Sequence, residues 1–183
     1  MKKKFYIKTA FLSLAAMALL SSCLKDSRYV DYGAVGTLIE LPLAENGDQA
    51  GIGGPYQAPT YSLASGATDT LTVAVNVASP KPLGSPLSVT LSVSDLTTLN
   101  AFNSANGTNF QPLPSSDYSV IGGLTVTIPA NQRLGYAHFL INAKAIGIDT
   151  LGKYVLPVTI ASASGQTIAQ PDKALLYNIF VTP

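Results

Sequence analysis

The chain has 183 residues, 47% of them hydrophobic and only 11% charged, with a formal net charge of +1. One cysteine leaves no intrachain disulfide, and beyond Lys8 no basic cluster offers a footprint for nucleic acid, which is set aside as a partner class. Fifteen glycines and twelve prolines, alongside abundant Ser, Thr and Asn, are the composition of a β-protein whose turns are made by small residues.

The N-terminus is the most informative segment. Lys2, Lys3, Lys4 and Lys8 precede an apolar run from Ala10 to Leu20, which ends at Leu20-Ser21-Ser22-Cys23. A basic region, a short apolar region and a small-residue cleavage site in that order read as a secretory signal, and the run is shorter than the roughly 20 residues of a membrane span. Leu-Ser-Ser-Cys resembles the lipobox of bacterial lipoproteins, which implies cleavage between Ser22 and Cys23 and lipidation of Cys23. Residues 1–22 are therefore expected to be a signal peptide, 23–33 a lipidated tether, and 34–183 a single domain. Removing the first 22 residues leaves seven basic against ten acidic residues, a mildly acidic −3. The lipid is expected to hold the domain at a membrane.

Within the domain, Val35 to Leu43 is the first strand candidate, followed by a long glycine-rich loop from Ala44 to Pro59. Leu71, Val73, Val75 and Val77 alternate with polar or small residues, as do Leu87, Val89, Leu91 and Val93, so each run predicts a strand with one buried face. The proline-rich stretch Ser79 to Pro86 turns the chain between them. Leu96, Leu99 and Phe102 then recur at helical spacing behind Asp95, the expected N-cap, and Asn106-Gly107 ends that helix. Strand patterns return over Leu124–Ile128, Ala137–Ile141, Tyr154–Ala161 and Leu175–Val181. The expected fold is all-β, an immunoglobulin-like two-sheet sandwich of about seven strands with one short helix.

The stretch from Asp95 to Val181 resembles the bacterial domain of unknown function 1735. The residues that carry the resemblance are Leu99-Asn-Ala-Phe-Asn-Ser-Ala-Asn-Gly-Thr108, Leu113-Pro-Ser-Ser-Asp-Tyr118, Val126-Thr-Ile-Pro-Ala130, Tyr154-Val-Leu-Pro-Val-Thr-Ile160 and the closing Leu175 to Val181. Asn131 stands where that family usually has glycine, and Asn also tolerates a left-handed backbone. The resemblance implies a lipoprotein of Bacteroidota associated with glycan uptake, lipid-anchored in the outer membrane at the cell surface or in the periplasmic leaflet, of a kind in which the domain precedes a glycoside hydrolase family 18 or lectin-like module. With the chain stopping at Pro183, the expectation is that the enzymatic part of the larger relatives is missing.

Chemistry-bearing residues are sparse. The carboxylates are single and scattered, so no glycosidase pair is expected; Glu45 and Asp48 in the long loop match no calcium-loop spacing, and Gly51-Ile-Gly-Gly54 lacks the strand and helix of a nucleotide-binding loop. No cofactor and no metal is expected. His138, the lone histidine, falls with Tyr136 on the strand face opposite Ala137, Phe139 and Ile141, as part of an aromatic contact surface. Tyr56 and Tyr61, at the end of the long loop, are the other candidates for an exposed ligand platform. Asp69-Thr70-Leu71 and Asp149-Thr150-Leu151 resemble the O-glycosylation acceptor motif of Bacteroidota, which implies modification at Thr70 and Thr150. The function expected is a non-catalytic binding or accessory lipoprotein of a glycan-uptake system, with polysaccharide or an outer-membrane transporter complex as partner. The alternative is a structural or adhesion module that contacts protein at the cell surface.

Overall fold

Alternating apolar residues become strands because an extended backbone puts every second side chain on the same face. The computed structural model describes residues 36–45, 55–65 and 69–183. In chain order these form β1 (Leu38–Glu40), α1 (Pro42–Glu45), β2 (Tyr56–Gln57), β3 (Thr60–Ser62), β4 (Asp69–Ala78), β5 (Leu87–Ser92), α2 (Thr97–Asn106) and β6 (Gln111–Pro112). There follow β7 (Tyr118–Ile121), β8 (Thr125–Ile128), β9 (Leu134–Ile141), α3 (Ala143–Ile146), β10 (Asp149–Ala163), β11 (Thr167–Ile168) and β12 (Ala174–Thr182). All seven expected strand runs contain a strand. The additional pieces, β2, β3, β6, β7, β11, α1 and α3, have no more than four residues each, too few to show a period. The first run is cut to three residues because Pro42 opens α1, proline being well suited to a first helical turn.

Two sheets result. One has the order β11-β1-β4-β9-β7; the other runs β2-β12-β10-β5-β8, with β3 also beside β12 and β6 also beside β10. Their facing sides make the main core, where Val73, Val75 and Val77 of β4 and Phe139 and Ile141 of β9 meet Leu156 and Val158 of β10 and Leu175 and Ile179 of β12. This is the expected two-sheet sandwich.

The second sheet is buried on both faces at its centre. The outward residues Val155 and Leu176 are covered by Leu99 and Phe102 of α2 together with Tyr56, so β10 and β12 carry continuous buried runs instead of alternation. The helix ends as expected at Gly107, with φ 64°. Its start differs. Leu96 holds the N-cap position, and Asp95, one residue earlier, accepts the Thr97 N–H at 3.0 Å. Hydrogen bonds from the Thr97 side chain and then its backbone hold the Asp95 carboxyl below the usual carboxylate range.

Two features of β10, a proline within it and a break in its register, have local causes. Pro157 lies opposite Leu176, whose N–H points away toward Pro55, and on its other edge β10 passes from β6, paired at Val155, to β5, paired from Thr159. Proline there forfeits no ladder bond. Between Asp149 and Tyr154 the register with β12 shifts. Gly152 sits in this bulge with φ +64°, and a Cβ on it would lie 2.6 Å from both Asn178 Oδ1 and Phe180 Cζ. Gly152→Ala is expected to destabilise the domain by about 1–3 kcal/mol through the left-handed backbone alone, with the crowding adding to this. Urea unfolding of the two proteins measures the difference.

Candidate functional site

The outer face of the five-stranded sheet has no helix over it among the described residues. Its exposed side chains come from the register of β4, β9 and β7: Asn76 lies opposite Leu134, Ala74 opposite Tyr136, and Thr72 opposite His138, which also faces Ile121. Because Tyr136 is paired with alanine, its ring is uncovered, at 51% exposure. Ile121 and Leu134 are exposed beside it. His138 is half-buried, with Nδ1 3.1 Å from Thr72 Oγ1, and Asn76 Nδ2 donates to Glu40 Oε1 at 2.7 Å. The alternation of β9 thus puts Tyr136 and His138 together on an outward surface, opposite the buried Ala137, Phe139 and Ile141.

At the start of β9 this surface dips into a cavity of about 430 Å³ lined by Pro82, Asn131, Gln132, Arg133, Leu134 and Tyr136. Nothing in the sequence around Tyr136 points to Pro82, which arrives from the turn between β4 and β5. Gly135, between Leu134 and Tyr136, is buried and closely approached by β8: a Cβ there would come within 2.6 Å of Val126 Cγ1. That contact fixes β9 from behind while its outward neighbours stay free.

The exposed platform expected at Tyr56 and Tyr61 is corrected by the structure. Both pair in parallel with β12, Tyr56 opposite Leu176 and Tyr61 opposite Val181. Tyr56 therefore shares the face of Leu176, where its ring stacks on Phe102 at 5.4 Å and Phe110 at 6.1 Å, and its Oη accepts a hydrogen bond from Asn178 Nδ2 at 2.7 Å. Tyr61 shares the face of Val181 and enters the main core. Burial, with Asp69 adding to it, pushes the Tyr61 phenol up to about 12; burial also raises Tyr56. Exposures of 2% and 8% leave neither ring free to stack on a ligand. Thr70 and Thr150 are both exposed. Ser22, Cys23, Asp48 and Gly51 to Gly54 lie outside the described residues, as does the Glu45 side chain.

A family model described as an N-terminal domain matches residues 50–167, more than half of the chain. The chain belongs to that family of N-terminal domains. No curated protein matches it in sequence. Among solved structures it is similar to a Bacteroides ovatus protein named as a candidate carbohydrate-binding protein, at 14% identity and a TM-score of 0.58 over 78% of this chain and 36% of that one. A multidomain Bacteroides ovatus protein including DUF1735 matches at 16% identity and a TM-score of 0.56, over 80% of this chain and 45% of that one. EndoBT-3987 of Bacteroides thetaiotaomicron, solved with a Man5GlcNAc product, matches at 24% identity and a TM-score of 0.53, over 68% of this chain and 28% of that one. The shared feature is the fold, and the chain spans less than half the length of each of these three structures.

Proposed function

We propose that the chain is a DUF1735-type lipoprotein, held at the outer membrane by lipid on Cys23, which binds glycan without turning it over as an accessory of a glycan-uptake system. The observation that carries this reading is the exposed Tyr136 ring, set on a sheet that is rigid behind it and beside a cavity. Sugars bind where an aromatic face meets their C–H surface and nearby polar groups meet their hydroxyls. The carbohydrate-binding name of one similar structure supports it, as does a Bacteroides thetaiotaomicron neighbour described as an auxiliary nutrient binding protein. Polysaccharide is the partner of this surface, and a transporter complex is the machine it serves.

Affinity electrophoresis through gels containing soluble starch, yeast mannan or xyloglucan tests the binding. At least one polymer should retard the native protein, and Tyr136→Ala should restore free mobility while leaving thermal unfolding unchanged; a native protein that no polymer retards would refute the reading. Anchoring is tested separately. Cys23→Ser should move the protein from the membrane fraction to the soluble fraction, and the intact mass of the membrane form should equal polypeptide plus lipid. Any further mass increment should disappear in the Thr70→Ala and Thr150→Ala variants if these are glycosylated.

One observation favours protein contact as a second reading. Leu151 is 87% exposed and Ile148 61%, yet the Asp149 carboxylate orders the start of β10 by accepting the N–H groups of Leu151 at 3.3 Å and Lys153 at 2.8 Å. An apolar knob held this firmly is suited to a partner's pocket. If that is its use, Leu151→Ser should abolish co-purification with a transporter complex and leave glycan retardation intact. Unchanged co-purification would remove the second reading.

A further inference from the structure

The cavity beside Tyr136 is a built cleft. Its two sides are the turn after β4 and the segment 131–133, and they are tied together on both flanks. Arg133 Nη1 donates to the carbonyls of Val77 at 3.2 Å and Ser79 at 2.5 Å, and Nη2 donates to that of Pro80 at 3.1 Å. Beyond Pro82, the Asn131 N–H donates to the Leu83 carbonyl at 2.7 Å, and the Val77 N–H returns to the Arg133 carbonyl at 2.8 Å. Asn131 holds φ 63°, a left-handed conformation that turns the chain from its bond to Leu83 toward Gln132 and Arg133. Pro82 is thus fixed within the cavity lining that also includes Tyr136, and a fixed cleft loses little entropy on binding.

The lining selects a chemistry. Tyr136 and Pro82 offer exposed apolar rings, while Asn131 and Gln132 offer exposed amides, each able to donate and to accept. None of the six lining residues carries a carboxylate, and three of the five guanidinium N–H donors of Arg133 are committed to backbone carbonyls. We infer that the cleft is a subsite for one uncharged pyranose residue, whose C–H face lies on Tyr136 and Pro82 and whose hydroxyls meet the amides of Asn131 and Gln132. The volume of about 430 Å³ falls within the range of small-ligand pockets, roughly 300–1,000 Å³. This inference rests on the glycan-binding reading and adds to it the location and the ligand class.

The test uses the mature chain on a printed array of neutral and acidic oligosaccharides, with titration calorimetry on the best probe. Asn131→Gly keeps the left-handed backbone while deleting the amide, and Gln132→Ala changes an exposed side chain, so both variants should fold. Neutral probes should bind, and the double variant Asn131→Gly/Gln132→Ala should weaken them at least tenfold. If Tyr136→Ala abolishes binding while the double variant binds like the native protein, the sugar lies on the open sheet face; the cleft inference then falls and the glycan reading stands. Binding confined to uronate or sulfated probes overturns the uncharged class. A native protein that binds no probe overturns both the inference and the reading beneath it.

Discussion

The pair β10 and β12 is the constraint on which the rest of the structure depends. Among the described residues it is the strand pair buried on both sides, against the five-stranded sheet within and against α2, Tyr56 and Phe110 without. Double burial makes every polar group there costly, and two of them, the Tyr177 hydroxyl and Asn178 Oδ1, are buried with no hydrogen-bond partner. The Tyr56 hydroxyl meets Asn178, and Pro157 takes a position that needs no donor. Several short elements exist to serve this pair. β2 and β3 cover one edge of β12 in succession, and β6 and β5 cover the free edge of β10. β2, β3 and β6, of two or three residues, are too short to persist without that template.

This asymmetry between the sheets leaves the functional surface where it is. Helix α2 spends its apolar face on the second sheet, and the first sheet presents side chains from β4, β9 and β7 directly to solvent. Along β9 the inner residues Ala137, Phe139 and Ile141 anchor the strand in the core, while the outer residues Leu134, Tyr136 and His138 are held two residues apart on a surface that cannot easily deform. A site on strands is positioned more sharply than one on loops. Here the two loops that contribute Pro82 and the segment 131–133 are tied to each other by the hydrogen bonds of Arg133 and Asn131.

Much of the fold was legible because its long strands obey a strict period of two and α2 a period near 3.6. The outward placement of Tyr136 and His138 follows from the same alternation, since Ala137 and Phe139 could only point inward. The left-handed turn at Asn131 was legible through the resemblance, since glycine is usual there and asparagine tolerates the same backbone. The burial of Tyr56 and Tyr61 was not. Which face a two- or three-residue strand presents is decided by its register against a distant partner, and Tyr56 meets Asn178 across 122 residues of sequence. The cavity was hidden for the same reason, because its geometry depends on Arg133 reaching carbonyls more than 50 residues earlier. Local pattern assigns faces within a long strand; it carries no information on which loop will arrive beside it.

The strand directions carry one more consequence. β1 begins at Leu38, opposite Ala78 and Thr167, whereas β12 finishes at Thr182 beside Val181, which is opposite Asp149. Asp149 follows α3 and the Ile141 end of β9, which is paired with Asp69 at the far end of β4. Residues 36 and 183 therefore lie at opposite poles of the sandwich, and tension between them runs along the axes of β1 and β12. Those strands are loaded in shear, so their ladder bonds resist together instead of opening one by one. Rupture under force then becomes a matter of the unfolding rate, set by how long those ladders hold together.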